Sequence, residues 1–377
     1  MPTATPPPAA PERITAALDL LSMTQAELAD REGLRQPTIS AIIGRTRPLT
    51  PQVYDRLLKA TGLPTSFFAA HDVIDPDRVL FRRRRTAPSR TTKRAKRMFA
   101  ELFRVSAALM ESSRQPVPNL PIVPFGERID GVLSEDRIET AAQAARDSLG
   151  LKAEGPVASV LRALERAHVP GAPIVFDDDP EERPAHDIGH DGISERLSDG
   201  RAVIAYFPSR GDRQRFTLAH ELGHLILHHD REHLDDSTAE SEADRFAGAF
   251  LVPVGTAQRV LNRRLDLRDY ARAKAELGVS IQALVQRAFA LDFMDESRRT
   301  SLFKQLSARG WRREEPVTVR AEQPLLLPKL LAHRYGPELS YRGRVSELGL
   351  PPMILRSLIP PPGPEAVERA AAVVPLK

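Results

Sequence analysis

His220, Glu221 and His224 are spaced so that a single helix could assemble a hydrolytic metal site from them. The surrounding segment reads Phe216-Thr-Leu-Ala-His-Glu-Leu-Gly-His-Leu225. Four residues of α-helix turn the chain by roughly 400° and advance it about 6 Å, so the two imidazoles point the same way. Two ring nitrogens so placed can share one Zn²⁺ at about 2.0–2.1 Å each. Glu221 lies about 100° round the helix from His220, within reach of a water that the metal activates, and suits a general base. Leu218, Leu222 and Leu225 recur at helical spacing, which keeps the His/Glu set off the apolar face. Gly223 is a poor helix former, but its missing side chain would admit another backbone close to the site. A buried helix whose histidines only satisfy hydrogen bonds would carry the same three letters, so the rest of the constellation has to decide.

A catalytic zinc needs a third protein ligand and an open fourth position. The next strong helix candidate is Glu240-Ser-Glu-Ala-Asp-Arg-Phe-Ala-Gly-Ala-Phe-Leu-Val-Pro253. Glu240 and Asp244 share one of its faces, and the small residues Ala243, Ala247 and Gly248 would let that face pack closely on the His220 helix. Pro253 marks its stop. Glu240 is therefore expected as the third ligand. Asp244, one turn on, is expected to accept the free ring N–H of a ligating histidine and fix its tautomer. Glu242 is expected to be a solvated charge. Bound Zn²⁺ would polarise a peptide carbonyl, while Glu221 would take a proton from water and pass it to the leaving amine. Arg215, Tyr206 and His228 are near enough in sequence to serve a tetrahedral oxyanion, but spacing does not select among them. The cluster His228-His229-Asp230 with His233 reads as a polar helix end and loop rather than a second metal site.

Elements must position these residues. Helices are expected over 137–149 and 157–167, and strands over 173–176, 193–197 and 201–207. Between them, Asp177-Asp-Asp-Pro-Glu-Glu182 reads as an exposed acidic loop. The economical architecture is an α+β domain with a small sheet beside two metal-binding helices. The stretch from about Ser134 to Pro253 resembles the ImmA/IrrE metallopeptidase family. The likeness rests on Arg215-Phe-Thr-Leu-Ala-His-Glu-Leu-Gly-His-Leu225, Glu240-x-Glu-Ala-Asp-Arg-Phe-Ala247 and Phe250-Leu-Val-Pro253. Val252 stands where that family often has methionine. The resemblance implies a zincin-like fold and a Zn²⁺-dependent endopeptidase. His220, His224 and Glu240 would be its ligands and Glu221 its acid/base. It also implies a role in bacterial stress or mobile-element control, through cleavage of a repressor or partner protein.

The N-terminal region carries different signals. Ile14, Ala17, Leu18 and Leu21 form one helical face. Thr24-Gln-Ala-Glu27 is a capping box that opens a helix ending near Gly33. Gln36-Pro-Thr-Ile-Ser-Ala-Ile-Ile-Gly44 reads as a second short helix, and residues 51–60 as another. Two short helices joined by a tight Gly-containing turn make a helix-turn-helix. Met23-Thr-Gln-Ala-Glu-Leu-Ala29, Gly33, Thr38-Ile-Ser40 and Gly44-Arg-Thr-Arg-Pro48 resemble the XRE, or lambda-repressor-like, DNA-binding family over about 55 residues. The resemblance implies that Gln36 and Thr38 face base edges and that Gln25, Arg45 and Arg47 meet phosphates. Pro37 stands where a polar residue is often found and removes one base contact. Modules of this kind often pair as homodimers on two half-sites.

Charge and composition bound the rest. The 377-residue chain has a net charge of only +4, yet residues 81–97 hold nine Lys/Arg and no acid. That run reads either as a phosphate-binding arm or as a solvated linker and helix face. Without cysteine, a disulfide frame and a Cys-ligated zinc are excluded, which agrees with a cytoplasmic location. Met1–Glu12 lacks the basic start and apolar core of a signal peptide, and no apolar run is long enough to span a bilayer, so no membrane partner is expected. The 33 prolines concentrate in linkers and loops, including Gln115–Pro124.

The expected order is a disordered tail (1–12), the helix-turn-helix (13–70), a basic and proline-rich linker with a helix over 98–110 (71–133) and the peptidase domain (134–255). A helical subdomain (256–315) and a proline-rich tail with short helices near 324–333 and 345–358 (316–377) complete it. The fold class is mainly α with one α+β domain. In functional terms the two resemblances together imply a regulator on a double-stranded DNA operator that carries a zinc endopeptidase, latent or triggered by a signal, whose substrate would be an XRE-type repressor or another protein. The alternatives are a regulator whose zinc domain senses without turnover, and an enzyme whose N-terminal module docks its substrate.

Overall fold

The computed structural model describes residues 5–77, 89–121, 131–176, 191–229, 231, 234–262, 264–336 and 347–363. The expected basic run Phe81–Arg85, the acidic loop 177–182 and His233 lie outside the described residues. The chain divides into two compact units. One comprises Met1–Gln115, Ala172–His190 and Leu325–Lys377, and the other Pro116–Gly171 and Asp191–Pro324.

The first unit opens with five helices: α1 (Ala10–Leu20), α2 (Gln25–Arg31), α3 (Gln36–Ile43), α4 (Pro51–Thr61) and α5 (Thr65–Ala69). α1 starts at Ala10, inside the expected tail, because Pro11 fits the first helical turn where no N–H partner is needed. α2 is fixed by a reciprocal cap: Thr24 Oγ1 accepts from the Glu27 N–H at 3.1 Å, and Glu27 Oε2 accepts from the Thr24 N–H at 2.6 Å. Gly33, with φ of +61°, turns the chain into α3. Ile14, Leu28, Ile39, Tyr54 and Phe67 are buried among these helices.

α6 (Ser89–Ser112) is longer than the expected 98–110, so half of the basic run is helical. Its cations are not all solvated: Arg94 and Arg97 are buried. Glu101 is fully buried on the same helix, where its Oε1 accepts from Arg13 of α1 at 2.5 Å and its Oε2 accepts from Arg104 at 2.9 Å. Asp72 accepts from Arg13 at 2.6 Å and from Arg97 at 2.8 Å. Three arginines and two carboxylates thus tie α1 and the residues after α5 to α6.

The second unit contains α7 (Glu135–Ser148), α8 (Val160–Arg166), β2 (Gly192–Arg196), β3 (Ala202–Tyr206), α9 (Gly211–Leu227), α10 (Asp236–Leu251), α11 (Val254–Val260), α12 (Leu267–Leu277), α13 (Ile281–Ala290) and α14 (Glu296–Ala308), while the short strand β1 (Gly171–Pro173) straddles the boundary, Gly171 in this unit and Ala172 in the first. The sheet runs β1-β3-β2, and β2 pairs antiparallel with β3, Gly192 opposite Tyr206 and Arg196 opposite Ala202. α9 packs under this hairpin, and α10 lies between α9 and α7. Leu218, Leu222, Phe246, Phe250 and Ile204 belong to one continuous buried core. Small residues let the two central helices close up: a Cβ on Gly223 would sit 3.0 Å from Phe246 Cδ1, so a ring, not a backbone, fills the gap.

The segment after α14 belongs to this unit. The Glu322 carboxylate accepts from the Val160 and Leu161 N–H groups at 3.1 and 2.6 Å, and from Arg215 Nη1 at 2.6 Å. The Gln214 amide pairs with the Glu322 backbone, accepting at 2.6 Å and donating at 2.8 Å. Two last helices, α15 (Leu326–Tyr335) and α16 (Pro352–Leu358), complete the first unit. Among the described residues no helix is long and apolar enough to cross a membrane.

Candidate metal centre

α9 carries His220 and His224 one turn apart, and their Nε2 atoms stand 3.0 Å from each other. α10 supplies Glu240, whose Oε2 lies 3.5 Å from His220 Nε2 and whose Oε1 lies 3.5 Å from His224 Nε2. Ligands at about 2.0–2.1 Å in a tetrahedron around one zinc stand roughly 3.4 Å apart. The separations of 3.0 and 3.5 Å bracket that value, so these three donors fit the ion. They form the one group among the described residues with the spacing to hold a metal.

The proton balance agrees with that fit. Burial alone would lower the His220 imidazole, but bonds to Asp244 and Glu240 and the charge of Glu221 hold it up, to about 10. Burial would raise Glu240, yet its bonds to His220 and His224 carry it far below the ordinary carboxylate value. Both shifts have one origin: inward-facing carboxylates favour a positive charge at the centre of the cluster.

Asp244, one turn along α10, meets His220 Nδ1 at 2.8 Å. A carboxylate only accepts, so Nδ1 carries a proton, and in the neutral ring that leaves the Nε2 lone pair for an ion. His224 is held from the other side, with its Nδ1 2.9 Å from His228 Nδ1. His228 Nε2 in turn meets Glu242 Oε2 at 3.1 Å. Glu242 is fully buried, not solvated as the helix pattern suggested. It also accepts from the Leu133 N–H at 2.7 Å and from Arg231 Nη1. Burial would raise this carboxyl, but those bonds bring it below its usual range. His228 is pushed down, chiefly by burial.

Glu221 faces β2. Its Oε2 accepts from Ser194 Oγ at 2.7 Å. A Cβ on Gly192 would lie 2.6 Å from Glu221 Oε1, so glycine leaves the room that the carboxylate occupies. Burial raises the Glu221 pKa, against the pull of His224, His220 and the Ser194 bond. Ser194 and Gly192 were not foreseen. The one available signal covered Ser194 alone, inside the strand expected over 193–197, whereas Gly192 lies one residue outside it.

The three residues close enough in sequence to serve an oxyanion are engaged elsewhere. Arg215 binds Glu322 and the Val157 carbonyl, Tyr206 is buried in the core, and His228 bridges His224 and Glu242. In the N-terminal unit Gln36 Nε2 donates to Gln25 Oε1 at 2.9 Å, which joins the first residues of α3 and α2. Thr38 stands one turn-fraction on, 3.5 Å from Arg47 Nη1. Gln36, Arg45 and Arg47 are exposed, and Arg45 pairs with Glu12.

No curated protein matches this chain. Residues 184–289, which carry β2, β3, α9, α10 and all three converging donors, match the model of the peptidase M78 family, described as the IrrE N-terminal-like domain.

Proposed function

We propose that the second unit is a zinc-dependent endopeptidase with His220, His224 and Glu240 as ligands and Glu221 as acid/base. The reading is carried by one observation: two imidazole Nε2 atoms and a carboxylate converge beside a second, buried carboxylate that is not part of the ligand set. Bound there, zinc supplies Lewis acidity toward water and a peptide carbonyl. The chain's own contribution is to hold and move a proton. Asp244 fixes the His220 tautomer, and Ser194 with Gly192 keeps Glu221 in place. The raised proton affinity of Glu221 suits a group that takes a proton from water and gives it to a leaving amine near neutral pH.

The N-terminal helices make the protein a regulator in this reading. Gln25, Gln36, Thr38, Arg45 and Arg47 lie on or just after α2 and α3 and offer amide, hydroxyl and guanidinium groups to a DNA operator. The substrate class is a protein, an XRE-type repressor or another partner, cleaved in a stress or mobile-element response. The full chain, loaded with zinc, should cleave members of a denatured-proteome peptide library, read by mass spectrometry. Glu221→Gln should retain zinc and lose every cut. Identical cleavage by Glu221→Gln would remove the peptidase assignment. Retained zinc with no cleavage by wild type under any trigger would favour the sensing alternative.

A further inference from the structure

We propose that His228 and Glu242 set the proton order of His224 and are positioning residues for the metal ligand; the inference rests on the zinc reading of the site. The two Nδ1 atoms of His224 and His228 are 2.9 Å apart and can share one hydrogen. Which ring owns it decides whether His224 can ligate. If His228 owned it, His224 would be an acceptor at Nδ1, and a neutral His224 would then carry its proton on Nε2, the atom facing His220 and Glu240. That tautomer has no lone pair for an ion.

Glu242 resolves the choice. Both of its oxygens are met by donors: Oε1 by the Leu133 N–H at 2.7 Å, and Oε2 by Arg231 Nη1 and by His228 Nε2 at 3.1 Å. His228 must therefore present N–H at Nε2. A neutral His228 then offers a lone pair at Nδ1, and the shared hydrogen belongs to His224. Arg231 Nη1 donates to the same Glu242 oxygen that His228 Nε2 meets, so this carboxylate already has a guanidinium as its ion-pair partner. The chain Glu242, His228, His224 thus points one lone pair at the metal position, as Asp244 does for His220 from the opposite side. The two ligands on α9 are served by two different carboxylates of α10, which lie two residues apart.

The ring protons can be read directly on the full-length wild type with ¹⁵N-labelled histidine. Long-range ¹H–¹⁵N spectra should show His224 as the Nδ1–H form and His228 as the Nε2–H form, with zinc and without it. A His228 that carries Nδ1–H would overturn the inference. Zinc affinity, measured by competition with a chromophoric chelator, gives a second reading that does not involve activity. His228→Leu should weaken binding about 10–100-fold. His228→Asn should restore most of that affinity, because its Oδ1 can accept where Nδ1 did. Glu242→Gln should weaken zinc in the wild-type background and have little further effect in His228→Asn, since the contact from Glu242 to His224 runs through the imidazole. Equal zinc affinities for the Leu and Asn variants, or a Glu242→Gln loss that persists unchanged in His228→Asn, would leave the pair a packing contact and sink the proposal. Should wild type bind no zinc at all, the zinc reading fails by itself, and the ring-proton spectra still decide the hydrogen order.

Discussion

Replacing Gly192 by alanine should disable the acid/base while sparing the metal. The new Cβ would lie 2.6 Å from Glu221 Oε1, 2.8 Å from Glu221 Cγ and 2.7 Å from Thr217 Cγ2. Ordinary contacts begin near 3.4 Å, so the Glu221 carboxylate must retreat by about 0.8 Å (3.4 minus 2.6) or the strand must lift. A misplacement of about 1 Å can cost on the order of 100-fold in rate. Overfilling a packed site costs about 1–3 kcal/mol of stability. For units of this size each kcal/mol lowers Tm by about 2–4 °C. The assay is hydrolysis of the best peptide from the cleavage screen, with zinc stoichiometry and urea denaturation in parallel. We expect kcat to fall roughly 100-fold, with KM and zinc content near wild type. Full-rate hydrolysis by a stable Gly192→Ala protein would refute the claim that this gap places Glu221. Loss of zinc along with the rate would point to a damaged fold instead.

Ser194→Ala removes the hydroxyl that Glu221 Oε2 accepts from, and should lower kcat by the equivalent of about 1.5–3 kcal/mol without changing zinc content. Glu101→Gln leaves Arg13, Arg97 and Arg104 around a neutral group and should cost about 3–5 kcal/mol in urea denaturation. Burial by itself raises the Glu101 pKa, but Arg104, Arg13 and Arg97 outweigh it and hold the carboxyl below 4.5. The unfolded chain therefore binds that proton more readily, so the stabilisation is complete above about pH 4.5 and is lost as pH falls through the folded value. Glu101→Gln should flatten this acid limb of the stability curve. Lys274→Met strands the buried carboxylates of Asp212 and Glu315, which Lys274 Nζ meets at 2.6 and 2.7 Å, and should destabilise by a similar 3–5 kcal/mol in the same titration. Gln36→Ala with Thr38→Ala should weaken binding to a selected operator by about 1–3 kcal/mol per lost base contact while non-specific DNA binding holds. Unchanged operator affinity would remove the DNA role from these two positions.

The two central helices were legible because their signals are local. A four-residue spacing brings His220 to His224, and Glu240 to Asp244, whatever surrounds them. The burial of Glu242 is not legible locally, for the opposite reason. Two positions along a helix turn the chain by about 200°, so the pattern sets Glu242 away from Glu240, toward solvent if α10 had a single neighbour. α10 has two, α9 and α7, and the backbone at Leu133 closes over its far side. That burial depends on a residue 109 positions away, which no window of sequence contains. Gly192 and Ser194 escaped notice for a related reason. A short strand was expected near 193–197, but which of its residues faces Glu221 is decided by the pairing of β2 with β3. The buried arginines of α6 were hidden because a basic run looks the same whether its partners are water or Glu101 and Asp72.

The grip of Glu322 on α8 and α9 moves the second unit's C-terminal limit. An engineer trimming by composition would cut at Pro316, where the proline-rich stretch begins. That cut would free Val160, Leu161 and Arg215 from their shared anion and strip Gln214 of the backbone it clasps. Arg215 lies five residues before His220 on the same helix, so the damage would start at the root of the rod that presents the histidines. A minimal fragment of this unit should keep everything through Pro324.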